Sequence, residues 1–128
     1  MGELLETSDI VSIHLRLSKE STNLMNKERL GKMKKDAILI NTSRGAIVDE
    51  NALVEVLTAG RLAGAGLDVF AEEPLAIDSP LRKLDNVILT PHIGWTVEEV
   101  FEEFAQIACT QLTEYLNGTL SKSELLAS

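Results

Sequence analysis

The sequence of 128 residues is 45% hydrophobic and carries 12 basic against 20 acidic side chains, a formal net charge of -8. This length suits one domain, and the acidic balance argues against a protein that binds nucleic acid or an anionic membrane. A single cysteine, Cys109, excludes an intrachain disulfide and a multi-thiolate metal site, which fits a cytoplasmic protein, and no apolar run reaches the roughly 18 residues of a membrane span.

The first part of the chain predicts a helix end, a strand and a short helix. Residues 3–8 are typical of the last turns of a helix that begins upstream, and residues 10–15 (IVSIHL) of a mostly aliphatic strand. Asn26 is placed to cap the next helix, in which Leu30 contributes to a short apolar face. The lysines of the run 32–35 follow at its carboxyl end, where we expect them to be solvated and to complement the helix dipole.

The stretch 37–45, with the sequence AILINTSRG, is the centre of the predicted fold. An alanine and three aliphatic residues without polar alternation are typical of a strand buried on both faces, as in parallel sheets covered by helices. Polar side chains begin where that strand ends, and they include the planar cation of Arg44. Ligands of open parallel sheets bind at the carboxyl ends of the strands, so we expect the functional site here.

A second helix and two more strands follow. Asp49 is expected to cap a short helix that stops at Gly60. A strand rich in small residues is predicted at 62–70, an irregular connection at 71–85, and a further strand at 86–90.

The last predicted element is a long helix over residues 97–117. Thr96 and Glu99 have the spacing of a capping box, and Trp95 is placed to staple the first turn. We expect the aromatic residues of this helix to lie in a core or an interface. Cys109 belongs to the same apolar pattern, which predicts a buried structural thiol in preference to a nucleophile.

These elements, about four strands with flanking helices and a long C-terminal helix, predict an α/β fold with a half-wound parallel sheet. A complete doubly wound nucleotide-binding fold also has a glycine-rich phosphate loop between its first strand and helix. The sequence contains no G-x-G-x-x-G. We therefore expect the chain to correspond to one half of such a fold.

A candidate site follows from this topology. Parallel strands bring Arg44, the segment 68–73 and His92 to one edge of the sheet, because each follows the carboxyl end of a strand. An arginine that binds an anion, a histidine that exchanges a proton and a carboxylate that orients it form a coherent acid–base site. The residues alone leave a simpler interpretation equally open, in which Arg44 caps a strand end, Glu73 is a solvated loop acid and His92 is a hydrogen-bonded turn residue.

Three linked motifs give the chain a family resemblance. NTSRG with VDE stands at 41–50, GLDVF with EEP at 66–74, and TPHIG at 90–94. Together they closely resemble the D-isomer-specific 2-hydroxyacid dehydrogenases, a family that includes phosphoglycerate dehydrogenases and glyoxylate/hydroxypyruvate reductases. The resemblance extends over essentially the whole chain, and it implies a Rossmann-type nucleotide-binding domain in an NAD(P)-dependent oxidoreductase.

The resemblance implies a catalytic role for three residues. Arg44 would grip the carboxylate of a small 2-hydroxy or 2-oxo acid and polarise its 2-oxo group. His92 would donate a proton in reduction and accept one in oxidation, and Glu73, the acid directly before Pro74, would orient it. The hydride itself would be carried by NAD or NADP.

The resemblance also implies a set of residues that contact the cofactor. Asp68 would hold the nicotinamide carboxamide, and the turn containing Arg16 would pass beneath the nicotinamide or its ribose. Arg16 stands where the family commonly has proline, a departure that loosens this turn. The full set implied for the cofactor is Leu15, Arg16, Thr42, Ser43, Arg44, Asp68, His92 and Gly94.

The resemblance further implies that residues 1–128 form the C-terminal half of an NAD-binding domain, whose last helix leads towards a separate substrate domain. The strand that holds Val11 and Ile13 would then present an unpaired apolar edge, for which we expect self-association, most simply as a homodimer. Without a phosphate-binding loop, the chain alone is expected to bind NAD weakly and to be inactive. Two alternatives stay open: a non-catalytic, NAD-responsive binding module, as in corepressors that resemble this fold, and an inactive fragment of such an enzyme.

Overall fold

The strands form one parallel sheet. The computed structural model describes residues 1–120, and the chain divides into two units, Met1–Gly94 and Trp95–Ser128. The strands all belong to the first unit and pair in chain order, each parallel to the next. They are β1 (Ile10–Ile13), β2 (Ile38–Asn41), β3 (Gly64–Leu67) and β4 (Val87–Leu89). This confirms the predicted α/β fold with a parallel sheet.

The α-helices are α1 (Gly2–Thr7), α2 (Lys27–Leu30), α3 (Glu50–Thr58) and α4 (Glu98–Leu116), with 3-10 turns at Gly45–Ile47 and Pro80–Lys83. Two predicted N-caps are confirmed. The side chain of Asn26 accepts a hydrogen bond from the backbone N–H of Arg29, and that of Asp49 from the N–H of Ala52. The chain leaves α3 as predicted, because Gly60 adopts a left-handed φ of 62°.

The core lies on one face of the sheet. Leu39 of β2 and the strand residues Ala65 and Leu67 are buried in one hydrophobic cluster with Leu53 and Leu57 of α3. Alternate residues of a strand point to opposite faces, so a helix that packs on Leu39 cannot also cover the residues on either side of it.

The opposite face is open within the unit Met1–Gly94. Ile10 is 63% exposed, Ile38 39% and Ile88 74%. The prediction that the central strand is buried on both faces is therefore wrong, since only the face of Leu39 is covered by α3. A continuous run of aliphatic residues shows that both faces of a strand can be covered. It does not show that the covering elements lie in the same unit.

Strand β1 is shorter than predicted. It ends at Ile13, and His14 and Leu15 lie in the loop that follows. A strand ends where its hydrogen bonds to the neighbouring strand end. The aliphatic residues of the sequence extend beyond that point, so they overestimate the length of the strand.

The basic run 32–35 begins directly after Gly31, the C-cap of α2, and its lysines are exposed, as predicted. Two of these lysines also pair with acidic side chains. Lys32 Nζ lies 2.8 Å from Glu28 Oε1, and Lys34 pairs with Asp9. These are exposed pairs of the kind that contributes little to stability.

Helix α4 begins one residue later than the predicted capping box of Thr96 and Glu99 requires. Its N-cap is Val97, which makes no side-chain cap hydrogen bond. The ring of Trp95 instead packs against the ring of Phe101, with 5.2 Å between their centroids, and against a second phenylalanine one turn further on.

None of the residues of α4 is buried. The prediction of a buried thiol is therefore wrong, because Cys109 lies on this helix and is exposed. Among residues 1–120, no helix is long and apolar enough to cross a membrane.

Candidate active site

A histidine and a glutamate form a hydrogen-bonded pair at the carboxyl edge of the sheet. His92 follows β4, and Glu73 lies in the connection between β3 and β4. His92 Nδ1 lies 2.7 Å from Glu73 Oε2, and Glu73 Oε1 accepts a hydrogen bond of 2.9 Å from the backbone N–H of Phe70. The carboxylate therefore fixes the ring from Nδ1 and leaves Nε2 as the atom for proton exchange.

The pKa of Glu73 is lowered by these contacts. The hydrogen bond with His92 has the largest effect, and the N–H of Phe70 acts in the same direction. Burial opposes them by raising the pKa, while the positive charges of His92 and Arg44 lower it further. Glu73 is thus a carboxylate at neutral pH. The side chains of the pair are 34% and 36% exposed, which leaves them open to a ligand.

The turn that carries His92 is held by a buried carboxylate. His92 has a φ of 56°, a left-handed conformation that is uncommon for a residue with a Cβ atom. Asp68, directly after β3, is 5% exposed. Its carboxylate accepts hydrogen bonds from the backbone N–H of Ile93 at 2.9 Å and of Gly94 at 2.8 Å. The hydroxyl of Thr90 donates a further hydrogen bond to it.

Two opposing effects set the pKa of Asp68. Burial raises the pKa, because it penalises the charged form. The hydroxyl donor, the two backbone donors and the charge of His92 together outweigh burial and lower the pKa below its ordinary value. Asp68 is therefore charged at neutral pH.

The turn that carries Arg44 is built by a buried asparagine. Asn41, the last residue of β2, is 1% exposed; its Nδ2 donates to the carbonyl of Arg44 at 3.0 Å, and its Oδ1 accepts from the N–H of Ser43 at 3.1 Å. Ser43 Oγ in turn donates to the carbonyl of Ile13 at 2.7 Å, which ties the ends of β1 and β2 together. The guanidinium of Arg44 is exposed, with Nη1 donating to the carbonyl of Ser43 at 2.7 Å.

The Arg44 turn touches the Glu73 segment through backbone. A Cβ atom built on Gly45 would lie 1.9 Å from the carbonyl carbon of Phe70, so only glycine fits. The side chain of Glu50 also accepts a hydrogen bond of 3.1 Å from the N–H of Ala71. The contact of Glu50 with Ala71 has no local signal in the sequence, because the two residues are 21 positions apart. Asn41 does have one, since asparagine commonly accepts from the N–H two residues further on.

The predicted site residues fall into two groups according to the recess that they line, while Asp68 and Gly94 line neither recess. A cleft of about 320 Å³ is lined by Glu73, His92 and mainly apolar neighbours. A second recess of about 410 Å³ is lined by residues 14–17 and 42–44. The predicted residues that line this second recess are Leu15, Arg16, Thr42, Ser43 and Arg44. Within residues 1–120, no group of His, Cys, Asp and Glu side chains is arranged to hold a metal ion.

The sequence matches one family model over most of its length. Residues 1–94 match the model described as D-isomer specific 2-hydroxyacid dehydrogenase, NAD binding domain. The chain is 53% identical over 120 residues to a glyoxylate reductase of Thermofilum pendens, covering 94% of this chain and 35% of that protein. It is 48% identical over 123 residues to a glyoxylate/hydroxypyruvate reductase B of Pectobacterium carotovorum, covering 96% and 38%. The chain thus spans little more than a third of the length of these relatives.

Solved structures share the fold. A D-lactate dehydrogenase from a Sporolactobacillus species superimposes with a TM-score of 0.88 at 34% identity, covering 94% of this chain and 40% of that one. The NAD-complexed form of a D-isomer specific 2-hydroxyacid dehydrogenase from Lactobacillus delbrueckii gives a TM-score of 0.86 at 34% identity, covering 95% and 41%. These neighbours confirm that the sheet is of the Rossmann type.

Proposed function

The chain belongs to the D-isomer specific 2-hydroxyacid dehydrogenase family through its NAD-binding domain, and on this premise we propose that it supplies the catalytic edge of an NAD(P)-dependent oxidoreductase. The proposed reaction transfers a hydride between the nicotinamide and a small 2-hydroxy or 2-oxo acid. The names of the two relatives support a substrate of this kind. Within the proposal, the chain forms the second half of the NAD-binding domain, and α4 leads towards a substrate domain.

The pairing of His92 with Glu73 is the observation that carries the proposal. Reduction of a 2-oxo group needs a proton at the oxygen, and oxidation of a 2-hydroxy group needs a base there. With Nδ1 of His92 held by the carboxylate at 2.7 Å, Nε2 is the ring atom that gives and takes this proton. The charge of Glu73 stabilises the imidazolium form that donates it.

Arg44 is proposed to bind the substrate carboxylate. Its guanidinium is exposed at the same edge of the sheet, and its planar fork of donors matches a carboxylate in bidentate geometry. Its positive charge is close enough to Glu73 to lower the pKa of that carboxyl group. Arg44 thus lies within electrostatic reach of the carboxylate that holds His92.

The residues at this edge fit the nicotinamide end of the cofactor. The recess lined by residues 14–17 and 42–44 is open and offers the hydroxyls of Thr42 and Ser43 together with the cation of Arg16. Gly94 adds backbone without a side chain beside Asp68. When bound, NAD or NADP supplies the hydride, and these residues orient its nicotinamide and exclude water from one side.

The test uses a chimera in which this chain replaces the 53%-identical segment of the Thermofilum pendens glyoxylate reductase. We expect it to bind NADH, which is detected by energy transfer from Trp95. We also expect it to consume NADH when glyoxylate or hydroxypyruvate is added. Arg44→Ala and His92→Asn should abolish this consumption even at NADH concentrations that saturate each variant. A chimera that binds NADH but reduces neither acid would overturn the proposal in favour of a binding module. The same NADH titration on the chain alone tests the expectation that it binds weakly.

A further inference from the structure

We infer that Asp68 is a positioning residue, whose carboxylate fixes the backbone turn that presents the ring of His92. The inference rests on the proposed function, in which that ring exchanges a proton with the substrate. Asp68 and its three donors, Thr90, Ile93 and Gly94, are called the Asp68 clamp below.

The clamp reaches both sides of His92. Asp68 Oδ1 accepts hydrogen bonds from the hydroxyl of Thr90, two residues before the histidine, and from the N–H of Ile93, directly after it. Oδ2 accepts from the N–H of Gly94 at 2.8 Å. Because these donors stand 22 to 26 positions from Asp68 in the sequence, the carboxylate joins the end of β3 directly to the turn after β4.

The conformation of His92 explains why a clamp is needed. A φ of 56° is disfavoured for a residue with a Cβ atom, and such a conformation persists only where its surroundings over-determine it. The turn supplies one backbone hydrogen bond of its own, from the N–H of His92 to the carbonyl of Thr90 at 3.1 Å. The carboxylate of Asp68 adds the charged acceptor for the two N–H groups that follow.

Gly94 leaves room for this carboxylate because it has no side chain. A Cβ atom at position 94 would lie 3.0 Å from Asp68 Oδ2 and 3.7 Å from its Cγ. The side chain would have to push the carboxylate away from the N–H that it accepts. The glycine therefore serves the clamp as well as any ligand that approaches this edge.

The clamp also limits what else Asp68 can bind. A carboxylate has about four lone-pair positions, and three are used within the chain. The resemblance assigns Asp68 to the nicotinamide carboxamide, but only one acceptor position, on Oδ2, is left for it. One position is enough to accept from a carboxamide N–H, so Asp68 can hold the His92 turn both with and without the cofactor.

The test uses the isotope-labelled chain without cofactor and two NMR measurements. Amide hydrogen exchange shows whether the N–H groups of Ile93 and Gly94 are hydrogen-bonded although both residues are exposed. The ring nitrogen signals of His92 show whether Nδ1 keeps its bond to Glu73. We expect both amides to be protected in the wild type. Asp68→Asn should speed their exchange about tenfold or more and shift the ring signals, because an amide offers one acceptor and turns its NH2 towards an N–H donor.

Asp85→Asn is the matched control, since Asp85 is an exposed aspartate and should change neither measurement. Gly94→Ala is a second variant, expected to speed exchange at position 94 without removing the carboxylate. If Asp68→Asn does not fold, the exchange rates of the wild type and of Gly94→Ala test the inference instead. Unprotected amides in the wild type, or fast exchange in Asp68→Asn with unchanged ring signals, would overturn the inference. Failure of the proposed function looks different: an inactive chimera while the clamp is intact by NMR.

Discussion

Glu73 and His92 are 19 positions apart in the sequence, yet their carboxylate and imidazole lie 2.7 Å from each other at the carboxyl edge of the sheet. The carboxylate is itself fixed, because its second oxygen accepts from the backbone N–H of Phe70. Neither partner can rotate freely without breaking a charge-assisted hydrogen bond. The pair therefore holds one ring nitrogen and frees the other.

Glu73→Gln should separate this role from a merely structural one. In the chimera we expect kcat to fall by about 10²-fold or more, since a positioned proton donor contributes on that order, while KM for the oxo acid changes much less. The measurement is steady-state NADH consumption with glyoxylate. Glu72→Gln is the control, because Glu72 is the neighbouring exposed acid and should leave kcat unchanged. Equal effects of the two variants would contradict the assignment.

Arg44→Lys should fail to replace arginine. Lysine keeps the charge but has no planar fork, so one charge-assisted hydrogen bond to the substrate carboxylate is lost. We expect kcat/KM for glyoxylate to fall about tenfold or more in the chimera. Arg61→Lys, on an exposed arginine outside both groups of site residues, should have no such effect. Full activity of Arg44→Lys would show that charge alone suffices.

Gly45→Ala should destabilise the fold strongly. The new Cβ atom would meet the carbonyl of Phe70 at 1.9 Å, and backbone on both sides has to move. We expect a loss of roughly 3 kcal/mol in the free energy of unfolding, measured by urea denaturation. Gly2→Ala is the control, since its nearest contact is 3.9 Å away. A stability within about 0.5 kcal/mol of the wild type would mean that this close approach does not exist.

The chain should lose stability in acid in a defined range. The pKa values of Asp68 and Glu73 are lowered in the folded chain, below the ordinary values of about 3.9 and 4.3 that hold in unfolded chains. A lowered pKa contributes stability that is fully present above the unfolded value and is lost as the pH falls through the folded value. The free energy of unfolding should therefore fall below about pH 4.

Urea denaturation at a series of pH values measures this effect. Asp68→Asn should lower the free energy of unfolding at neutral pH and make its decline in acid shallower, because one titrating carboxylate is removed. Glu72→Gln serves again as the control. A decline of the same steepness in Asp68→Asn would assign the acid sensitivity to other groups.

We also propose that the chain associates with itself through β1. This strand is at one edge of the sheet and exposes Ile10, and such an edge pairs readily with another chain. Light scattering should show a mass that rises with concentration, and Ile10→Lys should suppress the rise. Ile88→Lys, on the strand at the other edge, should not. A strictly monomeric mass at high concentration would contradict the proposal.

The order of the elements could be predicted because their signals are local. Asn26 and Asp49 cap helices from their own first turns. The meeting of Glu73 with His92 was implied by the resemblance and fits the rule that parallel strands gather their carboxyl ends. The contacts of Asp68 could not be predicted, since a sequence pattern does not say which distant N–H groups a buried carboxylate will meet.

Burial was predicted less well than order. A run of aliphatic residues indicated a strand covered on both faces, and an apolar helical pattern indicated a buried Cys109, but neither is seen. An apolar pattern shows that a surface can be buried against another apolar surface. Whether that other surface is supplied by the same unit is a matter of chain assembly, on which local patterns are silent.

The backbone contact of Gly45 with Phe70 bears on how the proposed site would move. Together with the hydrogen bond from the N–H of Ala71 to Glu50, it joins the loop that carries Arg44 to the loop that carries Glu73. We therefore expect the backbones of the two loops to move together. In a closing motion over a substrate, we expect the distance from these loops to groups supplied elsewhere to change, while the backbone spacing between Arg44 and Glu73 is kept.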